Sequence, residues 1–279
     1  MAAEPESELA ARAASGSSFY FAMRLLPKEP REAMYAIYRF CRAVDDIADD
    51  TARPRSERLD ALERWRHNID ALFSGTPNCS AGFLEEALRR YRFRREDFLA
   101  VIDGMAMDVE DDICAPEFAT LDLYCDRVAS AVGRLSIKAF GMDEEPGFRL
   151  AHHLGRALQL TNILRDLDED AVLGRLYLPR ELLEGAYVAM ADPFSALAAP
   201  QISSVCRALS GVARQHYRDA NAIFRARPRG DLRPPKLMSA VYSSILSDLE
   251  KQGWLPPRRR VRPPKARLVW MLLRHSLAA

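Results

Sequence analysis

Two clusters of acidic residues constrain this chain more than any other feature of its sequence. The first, DDIADD, runs from Asp45 to Asp50, and the second, NILRDLDED, runs from Asn162 to Asp170. Each cluster lies in a stretch whose apolar residues recur with helical spacing. Each also places carboxylates four residues apart, and carboxylates at that spacing on a helix repel one another. The fold must therefore neutralise two charged helix faces.

The first cluster continues a polar stripe along its helix. With about 100° of rotation per residue, four side chains fall within one stripe about 60° wide: Tyr38, Arg42, Asp45 and Asp49. The helix is predicted to end before Pro54, so the aspartates lie at the negative end of the helix dipole. A solvated polar surface is the ordinary interpretation of a charge run, but this unfavourable placement favours a bound cation.

The second cluster shows the same geometry. One face of its predicted helix carries Gln159, Asn162, Asp166 and Asp170, with Arg165 to one side. An EF-hand calcium loop is excluded, because the positions of its glycine and its closing glutamate hold Ala171 and Tyr177. Neither cluster contains His or Cys, and oxygen ligands alone suit Mg²⁺ held between carboxylates and phosphate oxygens.

The rest of the chain predicts an all-α fold. Only 13 of the 279 residues are glycine, no segment alternates like a strand, and prolines separate the helical stretches. We expect a single-domain helical bundle spanning 1–279 with a central apolar cavity, in which residues 1–14 form a flexible N-terminus. We predict helices near 31–50, 56–73, 82–90, 95–112, 120–140, 147–171, 194–226, 236–252 and 265–276.

Charge, cysteines and termini narrow the class of protein. The net charge of +1 argues against nucleic acid as a partner. The five cysteines show no CxxC spacing, which indicates reduced thiols in a cytoplasmic protein. The N-terminus lacks the apolar region of a secretory signal, and no apolar run is long enough to span a membrane. A basic tail, from Trp254 to Arg267, is interpreted as a solvated loop or as a peripheral contact with anionic lipid on the inner face of the membrane.

These features fit one class of reaction. Ionisation of an allylic diphosphate releases pyrophosphate, whose charge Mg²⁺, arginine and tyrosine side chains stabilise. The carbocation that forms needs a dry cavity, because water would quench it, and aromatic faces can stabilise it. A helical bundle offers both parts, with metal sites at one end of an apolar cavity.

Three further segments have both an ordinary and a functional interpretation. Residues 16–20, GSSFY, form a helix N-cap or a phosphate contact. Residues 124–133, YCDRVASAVG, are rich in small side chains, which allow close helix packing or leave room for a prenyl chain. Residues 104–108, GMAMD, belong to the core or to a cavity wall.

The chain resembles the squalene/phytoene synthase family over nearly its whole length. The resemblance is carried by SSF at 17–19, RAVDDIAD at 42–49, RLYLP at 175–179, and the segments 124–133 and 159–170. Within the family, residues 17–27 and 124–133 look most like the bacterial presqualene diphosphate synthases of hopanoid pathways. The resemblance implies a Mg²⁺-dependent prenyltransferase that joins two farnesyl diphosphates head to head (1′-1 coupling) to give presqualene diphosphate.

The resemblance also implies roles for individual residues. Metal binding is implied for Asp45, Asp49, Asn162, Asp166 and Asp170. Substrate binding is implied for Ser17, Ser18, Phe19, Tyr38, Arg42, Gln159, Asn162, Arg165 and Tyr242. Catalysis is implied for Arg42, Arg165, Tyr177 and Tyr124, of which Tyr124 would assist the proton loss that closes the cyclopropane ring. Roughly two or three Mg²⁺ ions would accompany the diphosphates. No NADPH site is expected, so a downstream reductase would complete the route to squalene and hopanoids.

Three alternatives stay open. A phytoene synthase would join two geranylgeranyl diphosphates in a deeper cavity, and a reducing squalene synthase would need NADPH to form hydrocarbon. A catalytically silent assembly factor should have lost part of an acidic cluster, and both clusters are complete in this chain.

The metal assignment predicts the result of single substitutions in either cluster. Asp49→Asn or Asp166→Asn is expected to abolish turnover while leaving the fold intact, because each removes one charged ligand of the cation. Product formation and far-UV circular dichroism measure the two effects. Near-normal activity of either variant would remove that residue from the metal site.

Overall fold

The computed structural model describes residues 18–76, 80–110, 113–264, 267–268 and 270–271. The expectation for residues 1–14 lies outside the described residues, and the predicted last helix near 265–276 lies largely outside them. In chain order the helices are α1 (Ser18–Met23), α2 (Lys28–Asp49), α3 (Arg55–Phe73), α4 (Glu85–Tyr91), α5 (Arg95–Glu110), α6 (Phe118–Cys125), α7 (Ala131–Ala139), α8 (Glu144–Arg165), α9 (Leu167–Val172), α10 (Arg180–Gly185), α11 (Pro193–Ala198), α12 (Ile202–Arg225) and α13 (Arg233–Gln252).

The all-α prediction is confirmed. Across the described residues, β-structure is limited to one isolated bridge between Cys114 and Leu176. There, Ala115 N–H donates to the Leu176 carbonyl and Leu176 N–H donates to the Ile113 carbonyl, each at 2.8 Å. The bridge ties the segment after α9 to the segment before α6. None of the described helices is both long enough and apolar enough to cross a membrane.

Helix α8 forms the centre of the bundle, and α7, α12 and α13 pack against it. Its buried residues lie on all sides of the helix, which is typical of a helix enclosed by others. By contrast, α2 buries a single stripe that runs from Ala33 to Ala48. One continuous core of buried side chains extends from Ala22 in α1 to Trp254 after α13.

Small residues let α8 approach its neighbours closely. A Cβ atom on Gly155 would lie 2.7 Å from the backbone nitrogen and Cα of Ser130. A Cβ atom on Gly133 in α7 would lie 2.9 Å from the Cβ atom of Ala151. Real carbon atoms do not approach this closely, so these contacts require glycine. Gly133, the last residue of the segment 124–133, therefore allows close helix packing, which was one of the two interpretations of this segment.

Three predicted helices are interrupted. The predicted helix 194–226 is divided into α11 and α12, because Ala199, just before Pro200, adopts an extended conformation. The other two interruptions lie next to candidate site residues. The predicted helix 120–140 contains one π-helical turn, Asp126–Ser130, between α6 and α7. The predicted helix 147–171 breaks at Asp166, whose φ and ψ of −106° and 20° leave the helical region. The indole Nε1–H of Trp254 donates to the carbonyl of Leu164 at 3.1 Å. This hydrogen bond satisfies a carbonyl that the end of α8 leaves unpaired.

The close approach of α8 to the π-helical turn predicts the effect of a single methyl group. Gly155→Ala is expected to lower the free energy of unfolding by about 1–3 kcal/mol, because the added Cβ meets backbone atoms that cannot move aside. Gly211→Ala is the matched control, since Gly211 lies exposed in α12 with open space around its Cα. The control should be neutral or stabilising by up to about 1 kcal/mol. Urea unfolding measures both, and equal stability of the two variants would contradict the close contact.

Candidate active site

Arginines from outside the first acidic cluster neutralise it. Arg42 Nη1 lies 2.7 Å from Asp45 Oδ2, and its Nη2 contacts Asp46. Arg175 Nη1 lies 2.7 Å from Asp49 Oδ1. Arg42 thus pairs with Asp45, which belongs to the predicted stripe of α2, and also with Asp46, which does not.

The C-terminal end of α2 is also capped by arginine side chains. Arg58 Nη1 donates to the Ala48 carbonyl at 2.9 Å, and Arg175 Nη2 donates to the same carbonyl at 3.2 Å. Cations at the last turn offset the negative end of the helix dipole. The fold thus relieves the unfavourable placement of the aspartates with two arginines from distant parts of the sequence.

The second acidic cluster is neutralised by its own arginine and by the basic tail. Arg165 Nε donates to Asp166 Oδ1 at 2.8 Å. Arg260 Nε lies 3.0 Å from the same oxygen, and Arg258 Nε donates to Asp168 Oδ2 at 3.0 Å. Part of the tail that was predicted to be a solvated loop or a lipid contact is therefore folded onto the site.

Two aspartates, one from each cluster, have strongly raised pKa values. Desolvation, together with the charge of Asp49, raises the pKa of Asp45 to about 6, although Arg42 opposes the shift. Desolvation and the charge of Asp166 raise the pKa of Asp170 to about 7, and Arg175 opposes it. Both shifts show that these carboxylates are desolvated and crowded by like charge. A divalent cation would relieve both effects.

Both acidic helices contribute polar residues to one end of an apolar cavity. The cavity has a volume of about 370 Å³, and Asp45 of α2 and Asn162 of α8 both line it. Polar side chains at this end include Tyr38, Gln159 and Tyr242. The remainder of the lining is largely apolar, with Phe19, Ile137, Phe140, Leu150, Leu154 and Met238 among its residues. Charged groups thus lie at one end of a space that suits a hydrocarbon chain.

The side chain of Asn162 fits a metal ligand. Its Oδ1 atom is buried and has no hydrogen-bond partner within the described part of the chain. Its amide nitrogen donates to Gln159 Oε1 at 3.5 Å, which leaves the oxygen facing away from that contact. A buried acceptor without a partner is costly, and a coordinated cation would satisfy it. The oxygen-only donor set of the two clusters therefore fits a hard divalent cation.

Two tyrosines and an aspartate form a buried network beside the first cluster. The Tyr177 hydroxyl donates to Asp108 Oδ1 at 2.6 Å, and the Tyr124 hydroxyl donates to Asp108 Oδ2 at 3.0 Å. The two rings stack with centroids 5.0 Å apart. Desolvation raises the pKa of Asp108 to about 6, against the lowering effect of Arg175 and of both hydroxyls.

A second, smaller cavity lies between Tyr124 of this network and the two acidic helices, α2 and α8. It has a volume of about 160 Å³ and is lined by Arg42, Asp45, Gln159 and Tyr124, together with apolar side chains. Tyr124, predicted from the family resemblance, therefore lies within reach of a molecule held between α2 and α8.

Asp108 and Arg175 were not predicted as site residues. Asp108 is the last residue of the Met-rich segment 104–108, and it is one of several carboxylates on α5, so the sequence gives it no distinct signal. Arg175 was part of the RLYLP motif. Their importance follows from long-range contacts that α5 and the segment after α9 make with α2.

The remaining predicted site residues lie as follows. Phe19 stacks on Tyr38 with ring centroids 5.4 Å apart, at the cavity wall. Tyr242 interacts with the Arg165 guanidinium. Although desolvation lowers the pKa of Arg165, Asp166 and, to a smaller extent, Tyr242 raise it above its usual value. Ser17 lies outside the described residues, and for Ser18 only the backbone at the start of α1 is described. No contact of either serine side chain is therefore assigned.

Residues 12–267 match the model of the family described as squalene/phytoene synthase. The chain belongs to the squalene/phytoene synthase family.

Relatives within the family are similar over nearly the whole chain. A presqualene diphosphate synthase of Zymomonas mobilis is 55% identical over 269 residues, which cover 96% of this chain and 92% of that protein. One from Rhodopseudomonas palustris is 50% identical and covers 99% of this chain and 98% of its own length. A crystal structure of a dehydrosqualene synthase with a ligand superimposes with a TM-score of 0.82 at 26% identity, covering 96% of this chain and 94% of that one.

The buried network predicts that Asp108 is required for turnover by this squalene/phytoene synthase family member. Asp108→Asn is expected to lower kcat about 100-fold or more, because the carboxylate that accepts both phenol protons is lost. Asp103→Asn, on the same helix but paired with Arg66, is the matched control and should retain activity. Steady-state kinetics, with thermal unfolding to show that both variants are folded, distinguish the two. Equal activity of both variants would exclude a role for the network.

Proposed function

We propose that this chain condenses two farnesyl diphosphates by 1′-1 coupling to presqualene diphosphate, releasing one diphosphate and one proton. The observation that carries the proposal is that both acidic helices contribute residues to one apolar cavity, Asp45 from α2 and Asn162 from α8. The similarity to presqualene diphosphate synthases over nearly the whole chain supports this choice of substrate and product.

Magnesium is the proposed cofactor. Asp45, Asp49, Asn162, Asp166 and Asp170 would hold it, and the unpaired buried oxygen of Asn162 supports this assignment. When bound, Mg²⁺ would stabilise the negative charge that develops on the leaving diphosphate. The reaction as proposed uses no NADPH.

Arginine and polar side chains would bind the diphosphate groups. Arg42 and Arg165 already point their guanidinium groups at the carboxylates of the two clusters, where a diphosphate would also lie. Charge-assisted hydrogen bonds from such groups are stronger than neutral ones and favour departure of an anion. Ser17, Ser18, Tyr38, Gln159 and Tyr242 complete the proposed binding set.

The apolar cavity would protect the carbocation. Its largely hydrocarbon wall excludes water, which would otherwise trap the cation as an alcohol. The stacked rings of Phe19 and Tyr38 stand where the acidic end meets the apolar wall, and aromatic faces stabilise positive charge without forming a bond to it.

The network of Tyr124, Tyr177 and Asp108 would remove the proton that closes the cyclopropane ring. As the Tyr124 oxygen accepts a proton from the cationic intermediate, its own hydroxyl proton can pass to Asp108 Oδ2, 3.0 Å away. Tyr177 holds the other carboxylate oxygen at 2.6 Å and so orients Asp108. The raised pKa of Asp108, about 6, makes this carboxylate a better base than an ordinary aspartate.

Peripheral contact with anionic lipid is a further part of the proposal, since the product is strongly lipophilic. Within segment 258–262, Arg258 forms an ion pair with Asp168, and Arg260 forms one with Asp166. The lipid contact is therefore assigned to the two exposed arginines that remain in this segment, Arg259 and Arg262. A separate reductase would then take the product onward to squalene.

Product analysis tests the proposed function. The purified chain is incubated with Mg²⁺ and farnesyl diphosphate, with and without NADPH, and separately with geranylgeranyl diphosphate. Presqualene diphosphate in both farnesyl reactions, without squalene, is the expected result. Squalene formed only with NADPH would make the enzyme a reducing squalene synthase. Product from geranylgeranyl diphosphate alone would make it a phytoene synthase.

A further inference from the structure

Three histidines form a compact group outside the acidic site. His152 and His153 lie on α8, and His216 lies on α12, the helix that packs most closely along α8. One ring nitrogen of each lies within 4.8 Å of the others. None of the three lines either of the cavities described above.

The closest pair already has the spacing of two ligands on one ion. His153 Nδ1 lies 3.1 Å from His216 Nδ1. In a tetrahedral site with metal–nitrogen distances of about 2.0–2.1 Å, neighbouring nitrogens lie about 3.3–3.4 Å apart. His152 is exposed, and its ring centroid lies 4.8 Å from that of His153, so a small rotation of its side chain would bring the third nitrogen in.

The surroundings keep the imidazoles neutral, as metal binding requires. Desolvation lowers the pKa of all three, that of His216 to about 4, and the nearby Arg156 acts in the same direction. Their ring nitrogens therefore do not have to lose a proton near pH 7 before binding a cation.

The charged groups around the histidine cluster differ between its two sides. Towards α6, arginine and aspartate charges offset each other, and on α12 a carboxylate lies next to the histidines. The Arg156 guanidinium is paired with Asp122 at 2.6 Å and with Asp126 at 3.1 Å. On α12, Asp219 Oδ2 lies 3.8 Å from His153 Nδ1, and Gln215 Nε2 holds the Asp219 carboxylate at 3.0 Å. Arg149, one turn before His153 on α8, is paired with Glu145 at 3.0 Å. Asp219 therefore lies close to the nitrogen that would bind the ion, where its negative charge favours a cation.

We propose that His152, His153 and His216 bind one borderline divalent cation, for which Zn²⁺ is the best match, with Asp219 as the adjacent carboxylate. Imidazole nitrogens select Zn²⁺ and similar ions, whereas the oxygen ligands of the acidic clusters select Mg²⁺. The bound ion joins α8 to α12 and stabilises the helix that carries Gln159 and Asn162. This site is independent of the proposed reaction, because none of its ligands belongs to the acidic clusters.

Cobalt and zinc binding to the full-length chain without an affinity tag tests the proposal. The protein is stripped of metal and held in excess Mg²⁺ so that the carboxylate clusters are saturated. Titration with Co²⁺ is expected to give one equivalent of an ion with the intense visible absorption of tetrahedral nitrogen coordination, which oxygen-coordinated Co²⁺ lacks. Zn²⁺ should displace it and raise the Tm, since a ligand that binds only the folded state stabilises it.

Variants locate the ion. His216→Ala and the exposed His152→Ala should each weaken Co²⁺ binding at least about 10-fold, as removal of a ligand does. His67→Ala is the matched control, because His67 lies on α3, is exposed, and has its Nδ1 2.9 Å from the Glu63 carbonyl of its own helix. Loss of the absorption band in the two cluster variants, with the control unchanged, supports the site. An absent band, or one that persists in both cluster variants, overturns it, and far-UV circular dichroism shows that the variants are folded.

Discussion

The structure depends on arginines that cross between distant segments to neutralise the two acidic helices. Without Arg175 against Asp49, and without Arg58 and Arg175 on the Ala48 carbonyl in the last turn of α2, four aspartates would crowd the negative end of a helix dipole. Arg260 does the same for Asp166. Because these arginines come from other parts of the sequence, charge balance and the arrangement of the helices are established together. Packing of the bundle and assembly of the site are therefore one process.

The charge balance is incomplete. Arginines compensate much of the negative charge, yet the carboxyls of Asp45 and Asp170 keep raised pKa values, and the buried amide oxygen of Asn162 has no hydrogen-bond partner among the described residues. A folded protein tolerates such groups only at a cost to its stability. All three groups belong to the two acidic clusters. A bound divalent cation would offset their cost, which is the role proposed for Mg²⁺.

The all-α class was predictable from the sequence, because helical periodicity is a local property of each segment. The two acidic clusters were also visible, since each depends on spacing along one helix, but the contacts that surround them were not. It could not predict the buried role of Asp108, which is created when α5, α6 and the segment after α9 meet. The break at Asp166 was also missed, since the residue that completes the end of α8 is Trp254, far along the chain. The break affects only one residue of the predicted face. Gln159 and Asn162 lie in α8 and Asp166 caps its end, so only Asp170 belongs to the next helix, α9.

The hydrogen bond between Trp254 and Leu164 links two segments that are far apart in sequence. Together with the ion pairs of Arg258 and Arg260, it attaches the chain after α13 to the end of α8 and the start of α9. Segments joined in this way open as one cooperative unit. Backbone amides near residues 165–172 and 254–260 would then exchange with solvent at a common rate. Local opening of the second acidic cluster would therefore depend on residues 254–260, a segment that contains none of the proposed metal ligands.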